Sequence, residues 1–258
     1  LVGQTPNPLI DKKNIFDQER WVDSIYNKLS LEEKVGQLFM PMVFTERDSS
    51  HFHFTLDLIK KYKVGGLVFS LGGPVEQTKW LNVFQRESKV PLMTAMDAEW
   101  GVAMRLDSVM PFPWPMTLGA IKDSTLLRKI GKRMGMQEKR LGIHYSFGPT
   151  LDINTNPKNP IIGNRSYGAS PDRVIRQALA IMKGHQEAGV LTSGKHFPGH
   201  GDTSKDSHKT LPTVSFSSKR LKEVEFKPYR KLINNGLTSV MVAHLNVPSI
   251  SEKGLPKS

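Results

Sequence analysis

The segment from Lys195 to His208 has the residue types and spacing best suited to chemistry, with three histidines and two aspartates in a glycine-punctuated stretch. It begins at the end of a short apolar run, where a strand would give way to a loop. Ionisable groups packed so densely destabilise a fold unless they pair with each other or with a ligand. Histidines and carboxylates ligate metals, and they also act as acids and bases in the hydrolysis of sugars. The segment alone therefore leaves two chemistries open, a metal site and a glycoside-hydrolysing site.

The metal interpretation uses five side chains of this segment as ligands: His196, His200, Asp202, Asp206 and His208. Two features argue against it. The spacing does not match the His-Glu-x-x-His pattern with which a helix presents two histidines to zinc. Lys195, directly before the first histidine, would also repel a bound cation. We therefore expect neither a metal nor any other cofactor.

Apolar runs alternate with helical patterns along the chain, after a polar, proline-bearing lead. The predicted strands lie at about 38–44, 66–70, 91–97, 143–151, 191–197 and 237–244. The predicted helices lie at about 21–29, 50–62, 75–88, 124–141, 171–189 and 217–235. Ser30 and Glu33 have the spacing of a capping box, which predicts that a further helical turn follows Ser30. This alternation is typical of a parallel sheet covered by helices.

Polar side chains repeatedly follow the predicted strands: Asp97, Asp152, His196 and His244. Active sites of β/α barrels lie at the C-terminal ends of the strands, so this placement favours a (β/α)8 TIM-type barrel in the α/β class. A Rossmann-type sheet is the alternative, but no Gly-x-Gly-x-x-Gly turn follows the first strand. Because about six β/α units are present and a closed barrel has eight, we expect a barrel that is truncated at its C-terminus. The predicted domains are a lead and helix over 1–29 and the barrel domain over 30–258.

Composition restricts the chemistry further. The chain of 258 residues has no cysteine, which excludes disulfides and thiolate nucleophiles and slightly favours a periplasmic or exported protein over a cytoplasmic one. The net charge of +12 comes from scattered basic pairs such as Lys60-Lys61 and Lys139-Arg140. Solvated helix faces account for such pairs, and attraction to an anionic polymer is the alternative. No nucleic-acid reader motif is present, and no apolar run approaches the ~18 residues of a transmembrane helix.

The sequence resembles glycoside hydrolase family 3, and the resemblance rests on several motifs in order. Lys195 to Asp202 reads KHFPGHGD and is followed by DSH at 206–208, which is similar to the signature of the β-N-acetylhexosaminidase branch. The supporting segments are DAEWG at 97–101, LDIN at 151–154 and NPIIGNRSYG at 159–168. The resemblance runs from roughly Leu31 to His244.

The family resemblance implies a retaining double displacement, in which a carboxylate attacks the anomeric carbon and a second group acts as acid and then as base. It implies that His208, oriented by Asp206, is this acid/base. In an extended Asp-Ser-His segment the two side chains point to the same side, so the carboxylate can hold the imidazole. A surface pair without a catalytic role is the alternative for these two residues.

The resemblance also implies four substrate-binding residues, which match family positions that hydrogen-bond the hydroxyls of the terminal sugar: Asp97, Arg165, Lys195 and His196. For Arg165, a salt bridge inside the barrel mouth is the alternative. His200 and Asp202 are expected to brace the loop rather than to touch the substrate. The family's nucleophilic aspartate lies on the seventh barrel strand, and neither Asp97 nor Asp152 matches it. The fragment alone is therefore expected to be inactive.

The resemblance implies an exo-acting β-N-acetylglucosaminidase or hexosaminidase for terminal amino sugars of peptidoglycan- or chitin-type glycans. The expected partner is thus a carbohydrate, with additional C-terminal sequence in the parent protein. A β-glucosidase-type member of the family is one alternative. A non-catalytic carbohydrate-binding module is another, in which Trp80, Trp100 and Trp114 would offer faces for sugar rings. The oligomeric state is not predicted.

Overall fold

A computed structural model of the protein describes residues 8–9, 14–203 and 211–251. Its strands form one parallel sheet of six, and each strand pairs with the next strand along the chain. The strands are β1 (Met42–Val43), β2 (Gly66–Phe69), β3 (Met93–Met96), β4 (Tyr145–Ser146), β5 (Leu191–Phe197) and β6 (Ser239–Val242). With all strands parallel, their C-terminal ends meet at one edge, as in the predicted barrel-type α/β fold, which is thereby confirmed.

Helices connect the strands, as the alternating pattern predicts. They are α1 (Ile15–Tyr26), α2 (Leu31–Gly36), α3 (Ser49–Asp57), α4 (Pro74–Glu87), α5 (Pro115–Gly119), α6 (Ser124–Arg140), α7 (Pro171–Ala188), α8 (Ser218–Glu223) and α9 (Phe226–Ile233). A π-helical turn, Leu58–Tyr62, extends α3, and 3-10 turns lie at Val102–Met104 and Gly163–Arg165. Within the described part of the chain, no helix is long and apolar enough to cross a membrane.

Local sequence signals explain several of the helix ends. The Ser30 side chain accepts a hydrogen bond from the Glu33 amide, and the Glu33 side chain accepts one from the Ser30 amide, so the predicted capping box is confirmed. Helix α7 has Pro171 at its first turn, where the missing N–H is not needed, and it ends at Gly189 in the left-handed conformation. These signals place the helix ends without help from tertiary contacts.

The core divides into two main clusters of buried side chains. One lies around β1 to β3 with α3 and α4, and the other lies among α6, α7 and α9. Helices α6 and α7 approach closely at glycines, since a Cβ at Gly184 would lie 2.3 Å from the Arg128 carbonyl oxygen. A Cβ at Gly131 would similarly lie 2.4 Å from the carbonyl oxygen of Ile181. This close contact packs the two longest helices behind the strands that carry the candidate site.

Several predicted boundaries differ from the structure. The helix predicted at 21–29 spans Ile15–Tyr26, and the strands predicted at 91–97 and 237–244 are slightly shorter. The strands predicted at 38–44 and 143–151 are shorter, and each predicted run contains a proline, Pro41 or Pro149, which has no N–H for a strand ladder. The helix predicted at 217–235 is interrupted, because Pro228 has no N–H to donate to the Val224 carbonyl and instead lies in the first turn of a new helix, α9. Glu225, which lies in the break, is buried. Its side chain lies against Gly199, where an added Cβ would be 2.9 Å from Glu225 Cγ. The interruption therefore supports the loop that follows β5.

Candidate active site

The sheet brings together the four residues that the sequence predicts to bind substrate. Asp97 directly follows β3, Lys195 and His196 lie in β5, and Arg165 lies in the 3-10 turn after β4. Lys195 Nζ is 2.6 Å from Asp97 Oδ1, and Arg165 Nη2 is 3.2 Å from His196 Nε2. These side chains thus form one cluster at the C-terminal edge of neighbouring strands.

Glu99 joins the two parts of this cluster. Its Oε1 lies 2.8 Å from Lys195 Nζ and 2.6 Å from Arg165 Nη2, while its Oε2 accepts from Arg165 Nε at 2.9 Å. The Glu99 side chain is 0% exposed. Burial alone would raise the pKa of Glu99, but Lys195 and Arg165 outweigh it and hold the pKa at about 2. Glu99 is therefore a buried carboxylate that fixes two cationic side chains.

Asp97 has a different environment from Glu99. Its Oδ1 accepts from Lys195 and its Oδ2 accepts from Arg105 Nη2 at 2.5 Å, but its side chain keeps 20% exposure. Burial opposes ionisation, and the neighbouring Lys195 and Arg105 still lower the pKa of Asp97. A carboxylate that is charged, held in place and open to solvent is suited to accept hydrogen bonds from a ligand.

Arg165 also combines anchoring with access. Burial acts to lower its pKa, but the hydrogen bonds and the negative charge of Glu99 raise it further, so the guanidinium stays charged. Its Nη1 donates to the Ile161 carbonyl at 3.3 Å. The side chain is still 19% exposed. Arg165 thus forms a salt bridge, which was the alternative to substrate binding, and part of its guanidinium is still open to a ligand.

Asp152 organises the start of the loop after β5. Its buried carboxylate lies 2.6 Å from His196 Nδ1 and accepts the backbone amide of His200 at 2.7 Å and that of His196 at 3.2 Å. Burial would raise the pKa of Asp152, but His196 and the hydrogen bond from the His200 backbone amide lower it. Because a guanidinium only donates, Arg165 next to Nε2 makes that nitrogen the acceptor and places the hydrogen of His196 on Nδ1.

His200 and Asp202 make their contacts within the loop region. The His200 ring is buried against Thr203, and its carbonyl accepts from Asn159 Nδ2 at 2.8 Å. Burial lowers the pKa of His200, which favours the neutral ring. Asp202 is exposed and accepts from Thr155 Oγ1 at 3.1 Å. His244, two residues after the end of β6, is exposed.

The predicted catalytic pair, Asp206 and His208, lies outside the described residues, and its role stays a prediction. Among the residues that are described, no group of three histidines or carboxylates is placed to hold a metal ion. The rings of His196 and His200 have their centroids 6.2 Å apart and are engaged by Asp152 and Thr203. His196 and His200, two of the residues that the metal interpretation takes as ligands, are therefore hydrogen-bonded parts of the loop after β5.

Sequence reasoning did not assign roles to three residues of this cluster. Glu99 was visible only as part of a motif, and Asp152 only as part of a motif and as a polar residue after a strand. Arg105 carried no sequence signal, because it is the turn after β3 that brings its side chain to Asp97. The available signal was the density of buried charge, since a lysine within an apolar strand requires carboxylate partners.

Comparison with known proteins places these residues in a family. Residues 30–258 match the family described as "Glycosyl hydrolase family 3 N terminal domain". The chain belongs to glycosyl hydrolase family 3. The family covers the whole sheet and every residue of the candidate site described above.

Relatives within family 3 are similar over much of the chain. Beta-hexosaminidase A from Pseudoalteromonas piscicida is 31% identical over 78% of this chain, which corresponds to 36% of that protein. The structure of a family 3 β-N-acetylglucosaminidase from Paenibacillus sp. str. FPU-7 is 38% identical, with a TM-score of 0.81 over 88% of this chain and 44% of that one.

The structure of an enzyme with a different name is also similar. A beta-glucoside phosphorylase, BglX, bound to 2FGlc, has a TM-score of 0.86 at 28% identity, covering 96% of this chain and 44% of that one. The chain thus spans less than half the length of each of these three proteins. The two solved structures share their fold with this chain, while the activities in their names differ.

Proposed function

We propose that the protein containing this chain is a retaining exo-β-N-acetylglucosaminidase that acts on terminal amino sugars of peptidoglycan- or chitin-type glycans. The observation that carries the proposal is the charged cluster of Asp97, Lys195, Arg165 and His196 around Glu99. Such fixed donors and acceptors suit a sugar's hydroxyls, because a wrong sugar leaves them unpaired. The names of the relatives, beta-hexosaminidase and β-N-acetylglucosaminidase, support the same substrate class.

In this proposal Asp97 accepts hydrogen bonds from hydroxyls of the terminal sugar, and Arg165 and Lys195 donate to its oxygens. Glu99 holds the two cations at their spacing, so the sugar meets a preorganised set of partners. His196 is held by Asp152 through Nδ1, which keeps the ring in one orientation. The cluster therefore acts as the recognition part of the site.

The acid/base step is assigned to His208, supported by Asp206. Thr203 is the last described residue before these two, and it is buried. His208 lies five residues further along the chain and outside the described residues, so its assignment rests on the family resemblance. His208 would give its proton to the glycosidic oxygen as that bond breaks, and would then take a proton from the attacking water.

The nucleophile is assigned to an aspartate outside this chain, as the family resemblance implies. Glu99 and Asp152 are unsuited to attack a sugar, because both are buried and fully occupied by cationic or amide partners. Asp97 is tied to Lys195 and Arg105 on both oxygens. The activity is therefore proposed for the full-length protein, and this chain alone is expected to give no turnover.

The test is turnover of a chromogenic β-N-acetylglucosaminide by the full-length protein, beside its His208→Ala and His53→Ala variants. His53 is an exposed histidine of α3 and serves as the matched control. We expect turnover to collapse in His208→Ala, to recover with an activated leaving group or added azide, and to be unchanged in His53→Ala. Full activity of His208→Ala would overturn the acid/base assignment.

A β-glucoside-acting enzyme is the second candidate, supported by the TM-score of 0.86 to the beta-glucoside phosphorylase. The same protein is assayed on a β-glucoside with and without inorganic phosphate. Robust cleavage of the glucoside and none of the N-acetylglucosaminide would replace the proposed substrate. A requirement for phosphate would further indicate that phosphate, rather than water, accepts the sugar.

A further inference from the structure

Two tryptophans form a stacked pair beside the candidate site. The rings of Trp100 and Trp114 have centroids 4.2 Å apart and planes inclined by 10°. Trp114 is 45% exposed, while Trp100 is only partly accessible. Trp80, by contrast, packs against Phe52 with centroids 5.2 Å apart, next to the core around β1 to β3. Of the three tryptophans that the sequence offers as faces for sugar rings, only the stacked pair is therefore a candidate.

The pair is connected to the charged cluster from two directions. Trp100 is the residue after Glu99, and its carbonyl accepts the Phe112 amide at 3.2 Å. Trp114 directly precedes α5, and Gly119 of α5 lies against Tyr167, two residues beyond Arg165. The contact is close, since a Cβ at Gly119 would lie 2.1 Å from the Tyr167 carbonyl oxygen. The pair therefore sits on the connection between Glu99 and the segment that carries Arg165.

The exposed ring is held in place before any ligand arrives. Trp114 lies between Pro113 and Pro115, which restrict the backbone on both sides. Trp100 stacks on one face of the Trp114 ring, which supports the ring in this orientation. A rigid aromatic side chain loses little conformational entropy when it binds, which favours its use as a binding surface.

We propose that the exposed face of Trp114 binds the pyranose ring of the leaving group, the sugar next to the scissile bond on its reducing-end side. A pyranose presents C–H groups on its ring faces and hydroxyls at its edge, so its face packs on an aromatic ring while the hydroxyls stay in water. The charged cluster meets the hydroxyls of the terminal sugar, whereas the tryptophan pair adds an uncharged aromatic surface beside it. The inference rests on the proposed exo-glycosidase function.

The experiment compares two substrates in the full-length protein and its Trp114→Ala, Trp114→Phe and Trp21→Ala variants. One substrate is a β-1,4-linked N-acetylglucosamine disaccharide, and the other is N-acetylglucosaminyl fluoride, whose leaving group has no ring. Trp21 is 59% exposed on α1 and is the matched control for loss of a surface tryptophan. Circular dichroism and thermal unfolding identify any variant that does not fold, and Trp114→Phe keeps an aromatic face if Trp114→Ala fails to fold.

We expect Trp114→Ala to lower kcat/KM for the disaccharide about fivefold to tenfold, the range of one lost aromatic contact. The value for the fluoride should stay unchanged, Trp114→Phe should lose less than Trp114→Ala, and Trp21→Ala should match the wild type on both substrates. Equal losses on both substrates, or no loss on either, would overturn the leaving-group subsite. If the wild-type protein cleaves neither substrate, the proposed function itself fails.

Discussion

Glu99 and Asp152 are both buried carboxylates with lowered pKa values at the same edge of the sheet, but they organise different things. Glu99 holds two cationic side chains, Lys195 and Arg165, through charge-assisted hydrogen bonds. Asp152 holds one imidazole and the backbone amides at the start of the loop after β5. The difference shows that ligand-binding side chains are positioned by ion pairing, and the loop backbone by amide hydrogen bonds.

The largest effect is expected from Glu99→Ala, which removes the shared partner of the buried Lys195 and the partly buried Arg165. Removal of one member of a buried ion pair typically lowers the free energy of unfolding by about 3–5 kcal/mol. Urea unfolding at pH 7 measures the change. Glu187→Ala is the control, since Glu187 pairs with Arg128 at the surface and its loss should cost under about 1 kcal/mol. Equal losses in the two variants would contradict the role of Glu99.

The second prediction is a loss of stability in acid that depends on Glu99. Its pKa is about 2 in the folded protein against an ordinary value of 4.5. As the pH falls, Glu99 is therefore protonated in the unfolded chain before it is protonated in the folded protein. Its contribution to the free energy of unfolding is complete above about pH 4.5 and is lost as the pH falls towards 2. The total is on the order of 3 kcal/mol. Urea midpoints between pH 7 and pH 3 should fall less steeply in Glu99→Gln, and an unchanged slope would contradict the prediction.

Asp152→Asn is expected to have an intermediate effect and a different signature. The amide keeps the shape of the carboxylate but loses its charge, which weakens hydrogen bonds worth roughly 1.5–3 kcal/mol in total. Amide hydrogen exchange should accelerate at His196 and His200, whose N–H groups Asp152 accepts. Glu99→Gln serves as the comparison and should leave exchange at His200 unchanged. Retained protection in Asp152→Asn would show that the loop is held by other contacts.

The smallest effect on stability is expected from Asp97→Asn, because the Asp97 side chain is partly open to solvent. We expect a loss of about 1 kcal/mol, accompanied in the full-length protein by at least tenfold lower kcat/KM for the chromogenic N-acetylglucosaminide. Thermal unfolding and steady-state kinetics measure the two quantities. A large loss of stability with little loss of activity would indicate that Asp97 supports the fold and does not contact the sugar.

Much of the fold followed from local patterns in the sequence. The capping box at Ser30 and the proline and glycine at the ends of α7 act within a few residues, so they predict helix ends directly. The interruption between α8 and α9 also has a local signal, Pro228, whereas the contact of Glu225 with Gly199 was not predictable because the two lie far apart along the chain.

The sequence by itself determined the order of strands and helices, the family resemblance, and which residues are candidates for binding substrate. Only the tertiary structure decided how these residues pair, because the partners are far apart along the chain. Asp97 and Lys195 are separated by 98 residues, and Glu99 and Arg165 by 66. Buried charges must find opposite charges nearby, and a parallel sheet supplies them by placing the ends of separate strands at one edge.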